Sequence, residues 1–338
     1  MKLQLGGIHH VTAVTGNAAA NVAFYTQTLG MRLVKKTVNQ DDVSAYHLFY
    51  ADAAGNPGTD LTFFDWPQAI PNLPGVGTVA ATAFWVDDRA ALEWWQTRFS
   101  ELGVAHTEIV DRAGRPTLPF SDPEGQSLEL VTPTSEEAGT PGGSPWDRSP
   151  VPAEYQVRGL HAVRLTVAKD DPTLRILTDT MGFRKVGEYV LPADNRGEAR
   201  SVQIFQVGTG GLGSEVHVEA RPDVRPGLVG IGGVHHVAFR TPNPTEHQEW
   251  QKRVAGARLG VSPVIDRFYF KSIYFREPSG ILFEIATDGP GFATDEAAAH
   301  LGERLALPPF LEPYRTRIEA GLRPIEGATE MLDGQTTR

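Results

Sequence analysis

Two histidine doublets stand in closely matching surroundings, IHHVTAV at residues 8–14 and VHHVAFR at residues 234–240. A third run, LHAVRLT at residues 160–166, keeps the pattern with a single histidine, His161. Imidazole nitrogen and carboxylate oxygen are donors that divalent metals accept from a protein. The chain has 0 Cys, which excludes thiolate nucleophiles, zinc fingers, iron–sulfur clusters and disulfide frameworks, so any metal must be held by His, Asp or Glu. An isolated histidine in a strand is most often a hydrogen-bonded structural residue. That reading fits His161, which aligns with His9 but lacks a following histidine, and also His47, His106, His247 and His300, which have no matched partner. A doublet repeated at equivalent positions, with Glu284 in a repeated strand, points instead to ligands.

Positioning such ligands requires elements that themselves repeat. Each of the three runs alternates apolar and polar residues as a strand does, and each is followed by a helical segment ending in glycine. In the first unit a cap near Asn17 starts a helix through AAANVAFYTQTL to Gly30; in the third, DDPTLRILTDTM leads to Gly182. A second unit begins at TVAATAFWV and runs through DDRAALEWWQTRFSEL to Gly103, and the fourth unit's helix lies around PTEHQEWQKRV before Gly256. Every unit closes with a strand introduced by glycine: PGTDLTFF, EGQSLELV, LGSEVHVE and SGILFEIA. The expected class is α+β, four βαβββ modules. A Gly-, Pro- and Ser-rich stretch marks a linker over residues 136–156, between modules one and two (1–135) and modules three and four (157–289). A Pro-containing, partly helical tail follows over residues 290–338.

Aligned on these features, each module offers two equivalent positions. The first-strand set is His10, Ala81, Ala162 and His236; the last-strand set is Thr62, Glu129, His217 and Glu284. If modules one and four face each other, one cavity holds His10, His236 and Glu284 beside the non-ligating Thr62. If modules pair in sequence order, modules three and four supply His217, His236 and Glu284. Either is a two-histidine, one-carboxylate set on one face of an octahedral metal, leaving adjacent positions for a substrate oxygen and dioxygen. Successive strand side chains point to opposite faces, so only one histidine of each doublet is expected to point straight into a cavity. Phe63, Trp66, Phe239, Phe268, Phe270 and Phe283 are candidates either to wall a pocket for a flat ring or to form core.

At 338 residues and 41% hydrophobic content the chain can bury the cores of two ordinary domains. Its formal net charge of -10 comes without a basic stripe, so nucleic acid is not an expected partner. The opening MKLQLGGIHHVTAV lacks the apolar stretch and cleavage site of a secretory signal, and no run of about 18 apolar residues occurs. No membrane association and a cytoplasmic location are the expectations, with small molecules as partners.

The segments GGIHHVTAVTGN, YHLFYADAAGNPGTDLTFFDWP, GGVHHVAF, DRFYFKSIYFREPSGILFEIATDGPGF and LGERLALPPFLEPYR carry a resemblance over nearly the whole chain. Together they make it resemble the ring-cleaving dioxygenases of the vicinal oxygen chelate superfamily, in the branch acting on hydroquinones. The resemblance implies that the modules build two open barrels, that modules one and four share the active cavity, and that His10, His236 and Glu284 are the metal ligands. His217 then loses its claim. It further implies Fe(II), with Mn(II) as the other candidate, and an aromatic substrate cleaved with incorporation of both atoms of O2; a homo-oligomer is compatible with it. His9, Thr12, His235, Arg267 and Tyr274 take roles in orienting the substrate hydroxyl, shuttling protons and stabilising oxygen-centred charge. Without the resemblance, Arg267 and Tyr274 read as a surface ion pair and a packed strand aromatic. Two rival activities use much the same residues. A catechol 2,3-dioxygenase-type extradiol enzyme shares the triad, and a glyoxalase-type metal-dependent isomerase or lyase typically adds a second glutamate where this chain has Thr62. A binding protein on the same repeat fits less well, since such proteins lack a complete triad.

Overall fold

The computed structural model describes residues 3–137, 139–193 and 198–325; the end of the expected tail, residues 326–338, lies outside the described residues, as do position 138 of the linker and 194–197 of module three. Each module is a strand, a helix and three strands, as expected. Module one contributes β1 (Ile8–Thr15), β2 (Arg32–Asn39), β3 (Asp42–Ala51) and β4 (Asp60–Asp65). Module two contributes β5 (Thr78–Trp85), β6 (Val110–Arg112), β7 (Arg115–Ser121) and β8 (Ser127–Val131). Module three has β9 (Gly159–Val167), β10 (Arg184–Leu191), β11 (Arg200–Gln206) and β12 (Glu215–Ala220), and module four has β13 (Val234–Thr241), β14 (Ile265–Asp266), β15 (Lys271–Arg276) and β16 (Leu282–Thr287).

The helices after the first strands are α1 (Ala18–Ala23), α2 (Arg89–Leu102), α3 (Asp170–Arg175) and α4 (Pro244–Gly256). The Asn17 side chain accepts the backbone N–H of Ala20, so the expected cap forms. In modules one and three the helix widens into a π turn, Phe24–Thr28 and Ile176–Thr180, before Gly30 and Gly182 take left-handed φ values of 69° and 79°. Module four departs from the expectation: Gly256 is still helical, and the left-handed residue is Arg258, whose exposed side chain extends into solvent. No helix among the described residues is long and apolar enough to cross a membrane.

The strands form two eight-stranded sheets, ordered β14-β15-β16-β13-β1-β4-β3-β2 and β10-β11-β12-β9-β5-β8-β7-β6. Modules one and four therefore share one curled sheet and modules two and three the other. At the centre of the first, β1 and β13 run antiparallel, each flanked by its own module's last strand in parallel. The register is pseudo-symmetric across all four modules: Thr62 lies opposite Thr12, Glu129 opposite Ala83, His217 opposite Arg164 and Glu284 opposite Ala238. Each of these partners is two residues beyond its module's first-strand position, so the repeat aligned in sequence is a repeat in space.

One face of the first sheet is core. Val11, Phe63, Val237, Phe239, Phe283 and Ile285 are fully buried there, packed under the helices in one apolar cluster. Truncating such a phenylalanine to alanine costs about 3–5 kcal/mol. The opposite face carries Ala238, Ala286, Phe49 and Phe270 in a smaller cluster that Phe292 and Leu301 of the tail complete. The tail is anchored beside it by Lys35, fully buried and ion-paired with Asp295 at 2.7 Å and with Glu296. This second face, walled by the tail, holds the candidate site.

Candidate metal centre

His10 on β1, His236 on β13 and Glu284 on β16 converge on this face, all at or below 3% exposure. Glu284 Oε2 lies 3.0 Å from His236 Nε2 and 3.4 Å from His10 Nε2, and the two imidazole nitrogens are 3.3 Å apart. Glu284 Oε1 accepts a hydrogen bond of 2.5 Å from the buried Ser272 hydroxyl. Oε2 is buried with no hydrogen-bond partner among the described residues, although two ring nitrogens stand close to it. A buried carboxylate oxygen is rarely left so. Burial alone would raise the Glu284 carboxyl, but His10 and His236 hold it well below the usual range, so it is a carboxylate.

The strict alternation expected for each doublet fails, and the reason is local. His9 is an extra residue on β1 between the pairs Ile8–Phe239 and His10–Ala238, and His235 is an extra residue on β13 between Thr12–His236 and Ala13–Val234. Two symmetric β-bulges thus turn both members of each doublet to the same side. His9 Nδ1 and His10 Nδ1 are 2.9 Å apart, as are His235 Nδ1 and His236 Nδ1 at 2.8 Å. His9 Nε2 donates to the Thr287 carbonyl at 3.2 Å. Burial, with His10 next, lowers His9 to about 3, so its ring is neutral and its Nδ1 must accept from His10. His10 then carries its proton on Nδ1 and presents a lone pair at Nε2, where a metal would take it. His235, lowered to about 3 chiefly by burial, is also neutral and lies against His236 through the same ring nitrogens.

Beside the triad lies a small cavity open to solvent. His10, His236, Arg267 and Tyr274 line it; His9, Thr12 and His235 do not, and sit behind the lining. Arg267 makes a two-pronged ion pair with Asp41 at 2.8 and 3.1 Å, and its guanidinium lies 5.6 Å from the centre of the Tyr274 ring. Burial above all, then the Glu284 charge, raises the Tyr274 phenol, which stays protonated. Thr12 bonds Thr62 at 2.8 Å, and Thr62 bonds His47 Nε2 at 3.0 Å.

His47, which the sequence reading took as structural, is brought to the site by the fold. It lines the cavity, its ring packed between Phe49 and Phe64 at centroid distances of 4.0 and 4.4 Å. Burial, followed by His10 and His236, lowers it well below the usual histidine range. Its position on β3 was legible: His47 lies opposite Phe64 as Ser272 lies opposite Ala286, so aligning the modules' third strands pairs it with the residue that holds Glu284. Of the aromatic candidates only Phe270 lines the cavity; Phe63, Phe239 and Phe283 belong to the core face, while Phe49, Phe64 and Tyr269 form the wall. Trp66 stacks on Phe64 from behind at 4.9 Å. His106, His247 and His300 bond to the Val104 carbonyl, the Ile285 carbonyl and Glu303, in keeping with structural roles.

The corresponding face of the other sheet carries paired charges. Glu129, equivalent to Thr62, is ion-paired with Arg112 and stands 3.6 Å from Arg164. Ala81 and Ala162 occupy the positions of His10 and His236, so no matching triad forms there.

Two curled sheets built from βαβββ modules, with an open two-histidine, one-glutamate set in one of them, define a protein of the vicinal oxygen chelate class. The sequence pattern of the Glyoxalase/Bleomycin resistance protein/Dioxygenase superfamily matches residues 7–130 and 159–285. The chain is 44% identical over 324 residues to a Bacillus subtilis protein provisionally named ring-cleaving dioxygenase MhqA, covering 96% of this chain and 100% of that one. It is 32% identical over 321 residues to the chlorohydroquinone/hydroquinone 1,2-dioxygenase of Sphingobium indicum, covering 92% and 94%. The crystal structure of a protein provisionally assigned as a dioxygenase from B. subtilis superposes with a TM-score of 0.86 at 37% identity, covering 96% of this chain and 99% of that one. The chain belongs to this superfamily and, within it, to the family of ring-cleaving dioxygenases that these relatives represent.

Proposed function

We propose that the chain is an Fe(II)-dependent dioxygenase that cleaves the ring of hydroquinones, with His10, His236 and Glu284 as the metal ligands. The observation that carries this reading is the donor set itself. A buried carboxylate oxygen without a hydrogen-bond partner stands between two imidazole Nε2 atoms at 3.0 and 3.4 Å, and a cation would satisfy all three. The same donors suit Mn(II). Position 62, where a fourth ligand would stand, holds a threonine already bonded to Thr12 and His47. Fe(II) supplies the one-electron chemistry that lets dioxygen react with an aromatic ring, which side chains alone do not.

The residues do the rest. Phe49, Phe64 and Phe270 form a flat apolar wall that orients a ring and excludes water. His47, neutral and facing the cavity, accepts the proton of a ring hydroxyl. Tyr274 donates a hydrogen bond where negative charge grows on oxygen, and Arg267, held by Asp41, keeps a positive charge beside it. His9 and His235 act through His10 and His236, fixing their tautomers. The hydroquinone preference rests on the Sphingobium relative, whose name carries that substrate.

The test is oxygen uptake after anaerobic reconstitution with ferrous iron, using methylhydroquinone, catechol and the glutathione hemithioacetal of methylglyoxal. One O2 consumed per hydroquinone is expected. Uptake with catechol alone would make it an extradiol enzyme, and isomerisation of the hemithioacetal without oxygen uptake would sink the dioxygenase reading.

A further inference from the structure

We propose that His161, Glu215 and His217 form a second divalent-metal site, suited to Zn²⁺, within module three and separate from the candidate active centre. His161 Nε2 and His217 Nε2 lie 3.2 and 2.8 Å from the same carboxylate oxygen, Glu215 Oε2, and the three ligand atoms are all within 4.8 Å of one another. Donors of a tetrahedral zinc at about 2.0–2.1 Å stand roughly 3.3 Å apart, which the two histidine-to-glutamate distances approach to within about half an ångström.

Three features separate this cluster from an ordinary hydrogen-bonded triad. His161 is 1% exposed, yet neither ring nitrogen has a hydrogen-bond partner among the described residues; its approach to Glu215 is off the hydrogen-bonding direction. The sequence reading of His161 as a satisfied residue is corrected here. With a carboxylate 3.2 Å from Nε2 but no group in line with either nitrogen, this imidazole is incompletely satisfied, and a cation at Nε2 would complete it. Second, Glu215 Oε1 is held by Gln206 at 2.9 Å with Arg115 3.5 Å away, which leaves Oε2 turned to the two histidines, where it accepts from His217 Nε2 at 2.8 Å. Arg115 is itself bound by Glu137 through both guanidinium nitrogens, so it does not neutralise Glu215 alone. Third, His217 Nδ1 is 3.3 Å from the Tyr189 hydroxyl, which orients the ring with Nε2 toward the cluster.

The backbone reason is the same bulge that shapes the doublets. His161 is the extra residue on β9 between the pairs Ala83–Ala162 and Phe84–Leu160. Glu215 and His217, two apart on the neighbouring parallel strand β12, share a face. The site therefore sits at the start of β12, beside the ion-paired cluster of Glu129, Arg112 and Arg164, and not at the position equivalent to His10 and His236. Two imidazoles and one carboxylate make a zinc set that would pin β9 to β12.

The experiment is metal stoichiometry by mass spectrometry after chelation and equilibrium dialysis against Zn²⁺, with Co²⁺ absorption as a second readout. We expect two equivalents in the wild type, one in His10→Ala, one in His161→Ala and none in the double variant, with His161→Ala keeping oxygen uptake under ferrous iron. The His10→Ala protein leaves the second cluster untouched, so the test holds even if His161→Ala folds poorly; its single Co²⁺ should give tetrahedral absorption. A single wild-type equivalent that His10→Ala abolishes, or His161→Ala retaining two, overturns the proposal. Failure at the first centre reads differently: the wild type then takes one equivalent that His161→Ala removes, which supports the second site.

Discussion

Replacing Ser272 by alanine tests whether Glu284 is held for a metal. The Ser272 hydroxyl is fully buried and donates to Glu284 Oε1 at 2.5 Å, while Oε2 is left for the cation. A hydrogen bond to a charged group contributes about 1.5–3 kcal/mol. In the metal-free protein that loss appears as reduced folding stability of this order, because the carboxylate stays buried without its donor. Metal affinity falls for a different reason: the freed carboxylate is no longer fixed with Oε2 between His10 and His236. Outer partners of metal ligands are worth roughly 10–100-fold in affinity, or about 1.4–2.8 kcal/mol at 1.4 kcal/mol per decade. Anaerobic competition with a chromophoric chelator should show the Kd for Fe(II) or Mn(II) rising within that range, with turnover at saturating metal changed far less. If the apoprotein loses stability while Kd stays within twofold of wild type, Ser272 is a packing residue and Glu284 is positioned by something else.

His47→Phe preserves the stack with Phe49 and Phe64 but removes the bond to Thr62, so metal uptake should be unchanged while hydroquinone turnover falls on the order of 10²–10⁴-fold; stopped-flow oxygen uptake decides it, and retained turnover would return His47 to a structural role. For His9, the folded value of about 3 lies below the unfolded 6.5. The unfolded chain binds the extra proton, so this contribution is complete above pH 6.5 and is lost as pH falls toward 3, with a slope of about 1.4 kcal/mol per pH unit. Urea unfolding of metal-free His9→Asn between pH 5.5 and 4 should show a dependence shallower by about that amount; identical slopes would mean that His9 titrates alike in both states.

The repeat made the fold legible. Glycines 58, 125, 213 and 280 recur four residues before Thr62, Glu129, His217 and Glu284, and each adopts positive φ, so the sequence alignment of last strands is also their spatial alignment. Module pairing was not legible from spacing, because His217 and His10 competed for the same triad and only the long-range pairing of β1 with β13 separates them. Bulges were invisible for a physical reason. They insert one residue without a composition signal, so the period of two that assigned opposite faces to His9 and His10 fails where the chemistry lies. The aromatic wall was missed by parity: Phe63 and Phe64 differ by one position, and register alone decides which of them faces the core.

The pseudo-symmetry also explains why an open coordination position and a candidate base occur together. In module four the third-strand residue Ser272 holds the last-strand Glu284; in module one the equivalent pair is His47 and Thr62. A glutamate at position 62 would bring a fourth ligand to the metal and bind His47 as its support. Threonine brings no ligand: its hydroxyl is shared between Thr12 and His47, no carboxylate reaches the cavity from β4, and His47 keeps a neutral ring on the cavity wall beside His10 and His236. The threonine at this one position therefore accounts for two requirements of ring cleavage, room at the metal for a second small molecule and a proton acceptor beside the first.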